Sequence, residues 1–447
     1  MIAHLKSARI RLSNAWPSGG DTKRLSGIAF LIRVISAVIA YGSQVLLARW
    51  MGGAEFGIYI YAWTWLLLLG SCIDMGMSSA AQRLIPEYSR QEKQALLRGF
   101  LALSRWLSFA VAVLVGLLCA AIIKVAEPWL NAATITPLYL ACATLPAFAL
   151  TLTQSGISRS YDWIGLALSP TFLVRQLLIL AIPGLMYAGG ILVDSTSAML
   201  ATCVAAWVTA LGSHLVLDRR LSQKIGLGPH SYDVRNWFAV SLPLFLVEAL
   251  FLVFSYVDVL ILAQFLPPAD TAGYYAAAKT LAIVSFIHFS VAAATTHRFS
   301  QYQQADDREH LRALLAQTTR WTFWPSLLAT AFLLSIGRPL LELFGAGFAD
   351  SYPLMFIFAL GLLARAAVGP SERLLCMVGA WRACAFVYLI VVILNVSLCL
   401  ALIPFYGALG GAIATSTAFV MESVLLFIVT RWRLRMVTPL HSQSVRA

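Results

Sequence analysis

Six basic residues (Arg33, Arg105, Arg175, Lys279, Arg365 and Arg373) and five acids (Asp74, Glu248, Asp258, Glu372 and Glu422) lie inside apolar stretches of helical length. A charge at the centre of a bilayer costs roughly 2.5–3.5 kcal/mol on insertion scales. Each therefore needs a partner, a wet cavity or a task. Guanidinium and ammonium groups suit an anion, and arginine matches a phosphate with a planar two-pronged fork. Carboxylates in the same setting suit a cation or a proton. The chemistry on offer is recognition and coupling. Arg33, Arg175, Lys279 and Arg365 are the candidate cavity cations; Asp74, Glu248 and Glu422 are the candidate coupling or gating acids.

Depth separates these cases. Arg105 and Arg373 stand near helix ends, where their stems can snorkel to the surface. Lys279 is about two turns from a surface, and Arg33 and Arg175 lie about 10–13 Å in at 1.5 Å per residue. Arg365 is near the midplane. Arg33 shares a helical stripe with Ser36, Ala37, Ala40 and Gln44, and Arg365 with Gly361, Gly369 and Glu372. Glu248 is a heptad from Ser241 and from Ser255, and Glu422 follows Gly411, Thr415 and Ala418. Small and polar stripes suit either a lined cavity or tight packing with Arg and Glu paired across a seam. Around Arg175 the neighbours Leu178, Ile179 and Ile182 are apolar. Asp74 sits beside Gly70 and Gly76 and reads as a protonatable switch or as a cap on a neighbouring helix end. Tyr59, Tyr61, Trp63, Trp65, Tyr274 and Tyr275 read as an aromatic belt, with sugar stacking as the rival role.

The elements holding these charges must be membrane spans. The chain has 447 residues, 60% hydrophobic and 12% charged. Soluble proteins carry about 25% charged and 45–50% apolar residues. Apolar segments at roughly 26–49, 57–82, 99–124, 136–155, 166–189, 194–217, 238–266, 273–297, 321–344, 353–378, 381–404 and 407–430 predict twelve helices. The expected class is an all-α polytopic membrane protein. The net charge of +12 follows topology rather than nucleic acid. Alternate loops and both tails carry 23 Lys and Arg, against Arg49, Lys124 and Arg338 on the other side, which predicts both termini in the cytoplasm. Seven cysteines in apolar segments, with no CxxC pair, read as core residues, and the seven histidines show no metal-ligand spacing. No metal or cofactor is expected. The outer loops are too short for a catalytic domain and no GxxxxGK[ST] occurs, so no enzyme is expected.

The stretch Leu46–Glu87 recurs 215 residues later. Leu47-Ala48 meets Leu262-Ala263, Ala54-Glu55 meets Ala269-Asp270, Tyr59 meets Tyr274, Arg83 meets Arg298, and Arg105-Trp106 meets Arg320-Trp321. Six spans per half place both halves in the same orientation, related by a pseudo-two-fold along the membrane normal with a site between them. The division is an N-terminal tail (1–25), a six-helix bundle (26–217), a linker (218–237), a second bundle (238–430) and a C-terminal tail (431–447). Segments 87–105 and 302–320 read as short amphipathic surface helices.

The stretches LLARWMGGAEFGIYIYA, IDMGMSSAAQRLIPE and LAQFLPPADTAGYYAAAK resemble the polysaccharide-flippase branch of the multidrug/oligosaccharidyl-lipid/polysaccharide exporter superfamily. The resemblance implies two six-helix bundles forming a V around a cavity that opens to each side in turn. It implies translocation of polyprenyl-pyrophosphate-linked oligosaccharide repeat units across the bacterial cytoplasmic (inner) membrane, for O-antigen and lipopolysaccharide, capsule or exopolysaccharide synthesis. Arg33, Arg175, Lys279 and Arg365 would then meet phosphate or acidic sugar, with H+ or Na+ coupling through Asp74, Glu248 or Glu422. Partners would be the lipid-linked oligosaccharide, membrane lipids, and a polysaccharide polymerase and chain-length regulator. The alternative is a multidrug/cation antiporter of the same fold, which predicts an acid-dominated cavity.

Overall fold

A computed structural model describes residues 19–226, 228–304, 308–377 and 379–434. The first 18 residues of the expected N-terminal tail, and the C-terminal tail beyond 434, lie outside the described residues. Among the described residues, eight helices are long and apolar enough to cross a bilayer, and a pair bent by 42°, Pro268–Ala282 with Ser285–Ala292, adds a ninth. Two long helices hold two spans each. Gly19–Ile73 is kinked at Gly52 (φ 78°, ψ 166°) and Trp381–Leu434 at Gly407 (φ 57°, ψ −136°). Unbroken, either would run about 80 Å, against a hydrocarbon layer of about 30 Å. Arg308–Ser335 is 28 residues long and completes twelve rods.

We number the rods α1 (19–51), α2 (53–90), α3 (Gln94–Ala126), α4 (Ala132–Ser160), α5 (164–188), α6 (Ser195–Lys224), α7 (Val234–Phe265), α8 (268–304), α9 (Arg308–Ser335), α10 (352–377), α11 (381–406) and α12 (408–434). No strand occurs among the described residues. With an even number of rods, both ends of the described chain fall on one side, here the near side. Several rods outrun their apolar cores, because polar turns leave the bilayer still helical. Hence α2 continues to Arg90, α3 begins at Gln94 and α9 at Arg308. The segments expected as surface helices at 87–105 and 302–320 are these extended ends, not separate elements. α6 runs to Lys224, so the linker contracts to 225–233.

Two rods break where backbone geometry demands it. α2 breaks at Met75 and Gly76 (φ 49° and 74°), and α10 breaks between Val368 and Ser371, at Gly369 (φ 63°) and Pro370. In α5 a π-helical turn, Pro170–Val174, immediately precedes Arg175.

Packing gives the molecule its opening. One apolar core on the far side joins both halves: Leu47, Phe56, Tyr59 and Ile60 pack in one cluster with Leu262, Tyr274, Tyr275, Phe344 and Phe348. Toward the near side the cores are separate. Met77, Leu84, Leu97 and Phe100 form one that also takes in Trp237 of α7, and Phe254, Leu375, Val391 and Leu426 form another within the second half. The halves are thus fused on the far side, while on the near side α7 packs against α2, a Cβ on Gly76 standing 2.6 Å from the Ser241 carbonyl oxygen, and the other rods hold separate cores. The repeat is visible in bonding: the Tyr59 hydroxyl meets Thr202 of α6 at 3.3 Å, and the Tyr274 hydroxyl meets Thr415 of α12 at 3.3 Å.

Candidate transport site

The far-side seal is built from rings and two cross-ties. Phe56 is fully buried, with ring centroids 6.2–6.4 Å from those of Tyr275, Phe344 and Phe348. Tyr41 of α1 bonds Thr280 of α8 at 3.0 Å, and Gln264 of α7 donates to the Tyr61 hydroxyl of α2 at 2.8 Å. Gly57 lets the backbones touch: a Cβ there would stand 1.8 Å from the Pro268 carbonyl oxygen. An aliphatic and aromatic seal is a barrier to any hydrated cargo.

Below the seal, charges from both halves share one cleft. Glu248 of α7 is solvent-exposed, yet close enough to interact electrostatically with Asp74 of α2, Arg159 of α4 and Arg373 of α10. Arg159 in turn feels Arg33 of α1, Glu248 and Asp74. A side chain that is exposed and also flanked from both halves lies between them. Arg33 is likewise exposed. At the 215-residue offset of the repeat, Arg33 and Glu248 are counterparts, so α1 and α7 bring opposite charges to matching depths.

Asp74 is buried and satisfied. One carboxylate oxygen accepts from the Ser78 backbone N–H at 3.0 Å, capping the second part of α2, and the other accepts from Thr153 at 2.7 Å. Glu422 is sealed from solvent, with Arg365 Nε at 3.7 Å as its counter-charge. Arg365 Nη2 is 3.5 Å from Glu372, and its guanidinium lies 5.0 Å from the Phe251 ring. Glu372 also receives the Tyr388 hydroxyl and pairs with Arg373 at 3.2 Å. Arg365 lines a small gap of about 20 Å³ with His288, Ser285 and Ser326.

Two predicted cations stand apart from this row. Arg175 is buried within the first half, its guanidinium 4.6 Å above the Phe148 ring and beside Tyr59. Its partners all come from α2 and α4, so it does not join the cleft charges. The apolar neighbours at helical spacing already pointed this way. Lys279 lies over the Tyr256 and Tyr275 rings at 5.4 and 5.1 Å and near Asp258. Asp258 is buried, accepting from Tyr274 at 2.6 Å, Thr415 at 3.1 Å and the Val259 N–H at 2.8 Å. Arg105 pairs with Asp218 and donates to the Leu101 carbonyl, the structural role its depth suggested.

Residues 24–303 match the family model described as polysaccharide biosynthesis protein. The chain belongs to that family. Residues 243–401 of this polysaccharide biosynthesis protein also match the MatE model. No curated protein matches the sequence. Similar solved structures include the lipid II flippase MurJ in an inward closed conformation, with TM-score 0.72, 16% identity, and coverage of 90% of this chain and 87% of that one. An inward-facing multidrug resistance MATE transporter of the MOP superfamily gives 0.71 and 15%, covering 91% and 94%. A MOP superfamily transporter from Pyrococcus furiosus, titled for the reverse polarity of its binding pocket, gives 0.63 and 13%, covering 91% and 95%. The fold of this family member is therefore that of the MOP transporters.

Two members of the charged row escaped the sequence reading. Arg159 lay just past the apolar core of α4, but the helix continues to Ser160 and carries it into the cleft. His288 has no sequence partner; it reaches Arg365 only because α8 bends at residues 283–284. Among the described residues no group of three or more His, Cys, Asp or Glu side chains could hold a metal ion.

Proposed function

We propose that this protein is a flippase that turns polyprenyl-pyrophosphate-linked oligosaccharide repeat units across the bacterial inner membrane, for O-antigen, capsule or exopolysaccharide assembly. The observation that carries the reading is the near-side cleft in which Arg33, Arg159 and Arg373 are interleaved with Glu248 and Asp74 under a closed far-side seal, with the Arg365–Glu372 pair behind it in the second half. Sugar hydroxyls lose water on entering hydrocarbon at several kcal/mol each. A cleft lined with charged and hydroxyl groups substitutes for that water, and arginines match the pyrophosphate oxygens. The prenyl tail remains in lipid where α1 and α8 separate below the Tyr41–Thr280 tie; Val34, Ile35 and Val38 on α1 and Phe286 and Phe289 on α8 are exposed there. Rocking of the halves about the far-side core then exchanges the open side. Arg175 and Lys279 act behind the cleft, holding α5 and α8 in place. Proton or sodium coupling through Glu248, Asp74 or Glu422 completes the cycle, and a polymerase and chain-length regulator consume the product.

Deletion of the gene tests this. Lipid-linked repeat units should accumulate on the cytoplasmic leaflet, and Arg33→Ala and Arg365→Ala proteins should reach the membrane yet fail to restore export. Normal export by both variants removes the cleft assignment. The antiporter reading draws on the MatE match over residues 243–401. It predicts instead that deletion leaves glycan export intact and raises sensitivity to cationic drugs.

A further inference from the structure

A second hollow, of about 260 Å³, lies wholly within the first half between α2, α3 and α4. Tyr61, Trp65, Cys119, Ile122, Ala141 and Cys142 are among its walls. Its mouth is on the face where Leu118, Ile122 and Val125 of α3 are exposed. At the far end of the same helix, the Lys124 side chain and Trp129 are strongly exposed, the residue types that mark headgroup depth. Ile122 and Cys119 lie two and five residues below Lys124, about 3 and 8 Å into the hydrocarbon at 1.5 Å per residue. The medium at the mouth is therefore lipid chain. An apolar hollow of this kind stays dry and takes apolar guests. α2 stands between it and the charged cleft, so the hollow opens to lipid and not to the cleft.

We propose that this hollow binds one acyl chain of a far-leaflet membrane phospholipid, and that the bound chain braces Tyr61 and with it the Gln264–Tyr61 cross-tie of the far-side seal. Tyr61 is the link: it forms part of the wall and accepts the 2.8 Å bond from α7 of the other half. An unfilled hollow leaves that ring without contacts on one side, and unopposed surfaces forfeit dispersion. The seal then depends on local lipid, whatever the cleft carries.

The test uses the full chain in nanodiscs of phosphatidylethanolamine bearing a diazirine in the acyl chain. On irradiation, adducts should concentrate on the 119–145 segment rather than on the lipid-exposed Leu185 and Leu215. Ala141→Trp fills the hollow and should cut those adducts about tenfold, the factor that 1.4 kcal/mol of lost binding gives. Leu114→Trp, exposed on the same helix, should not. Cys142→Phe replaces Ala141→Trp if that variant fails to fold. Amide exchange over residues 260–266 of α7 should slow about threefold when phospholipid is returned to delipidated wild-type protein. Adducts spread evenly over the exposed helices, adducts unchanged by filling, exchange indifferent to phospholipid, or displacement of the labelled lipid by polyprenyl phosphate would each overturn the proposal.

Discussion

Replacing Arg365 by methionine separates what this residue does for the fold from what it does for cargo. Its guanidinium lies 3.5 Å from Glu372 and 3.7 Å from Glu422, and the Glu422 carboxylate is sealed from solvent with no hydrogen-bond partner among the described residues. Both distances exceed a good hydrogen bond, so the contribution is charge balance. Arg365→Met leaves Glu422 as an uncompensated buried charge, a change that costs about 3–5 kcal/mol. For a unit of 150–250 residues, each kcal/mol moves Tm by about 2–4 °C, so the single variant should melt about 6–20 °C below wild type. Adding Glu422→Gln removes the stranded charge. Glu372 keeps Arg373 at 3.2 Å and the Tyr388 hydroxyl in that background. The double variant should therefore recover more than half of the lost Tm while glycan export stays absent, since the cation is gone from both proteins. Fluorescence melts of purified protein and an export assay read the two quantities. A double variant no more stable than Arg365→Met refutes the charge-balance reasoning. Export restored by the double variant refutes the cargo role.

The seal, the linker and the repeat each yield a further expectation. Gly57→Ala sets a Cβ against the Pro268 carbonyl and should force α2 and α8 apart on the far side; spin-label distances across that seam lengthen if the contact is what closes it and stay unchanged otherwise. Trp237 is fully buried among first-half residues and donates to the Tyr88 hydroxyl at 2.8 Å. Trp237→Ala should cost about 3–5 kcal/mol and Trp237→Phe only about 1 kcal/mol for the hydrogen bond, and equal melts for the two would show that the ring is not part of that core. Tyr274→Phe should destabilise by about 1.5–3 kcal/mol because its hydroxyl serves the Asp258 carboxylate, whereas Tyr59→Phe loses a neutral bond of about 0.5–1.5 kcal/mol; chemical unfolding that ranks them the other way would contradict the bonding.

Much of the fold was legible because lipid imposes a length rule. Apolar runs marked twelve spans, and a single offset marked the repeat that now appears as the Tyr59–Thr202 and Tyr274–Thr415 pair. Boundaries were less legible, since hydropathy sees where a helix leaves hydrocarbon and not where it ends. That is why Arg159 went unseen. Membership of a half was misleading in one place. Val234–Phe265 belongs to the second half by repeat, yet its first turns pack with the first: Trp237 sits in the near-side core with Phe100, and Arg98 holds the linker through the Gly226 and Pro229 carbonyls at 2.8 and 3.2 Å. Spacing along α5 gave Arg175 its depth but could not show that Phe148 occupies the face it turns inward.

The departures from symmetry bear most directly on function. Ser43 and Thr64 of the first half are buried and donate to backbone carbonyls of their own helices, at 2.8 and 2.7 Å. Their counterparts at the repeat offset are Asp258 and Lys279, a carboxylate and an ammonium close enough to interact. One half therefore satisfies these positions locally, while the other holds charges whose neutrality depends on α7 and α8 staying together. At a third position the exchange is of sign, Arg33 against Glu248, and both interact with Arg159. Each near-side wall mixes signs, with Arg33, Arg159 and Asp74 on one and Glu248 and Arg373 on the other, and in the proposed flippase an anionic cargo would compete for the arginines. A cationic cargo would compete for Glu248 instead. The sign of the cargo's charge is thus the property that distinguishes the flippase from the antiporter.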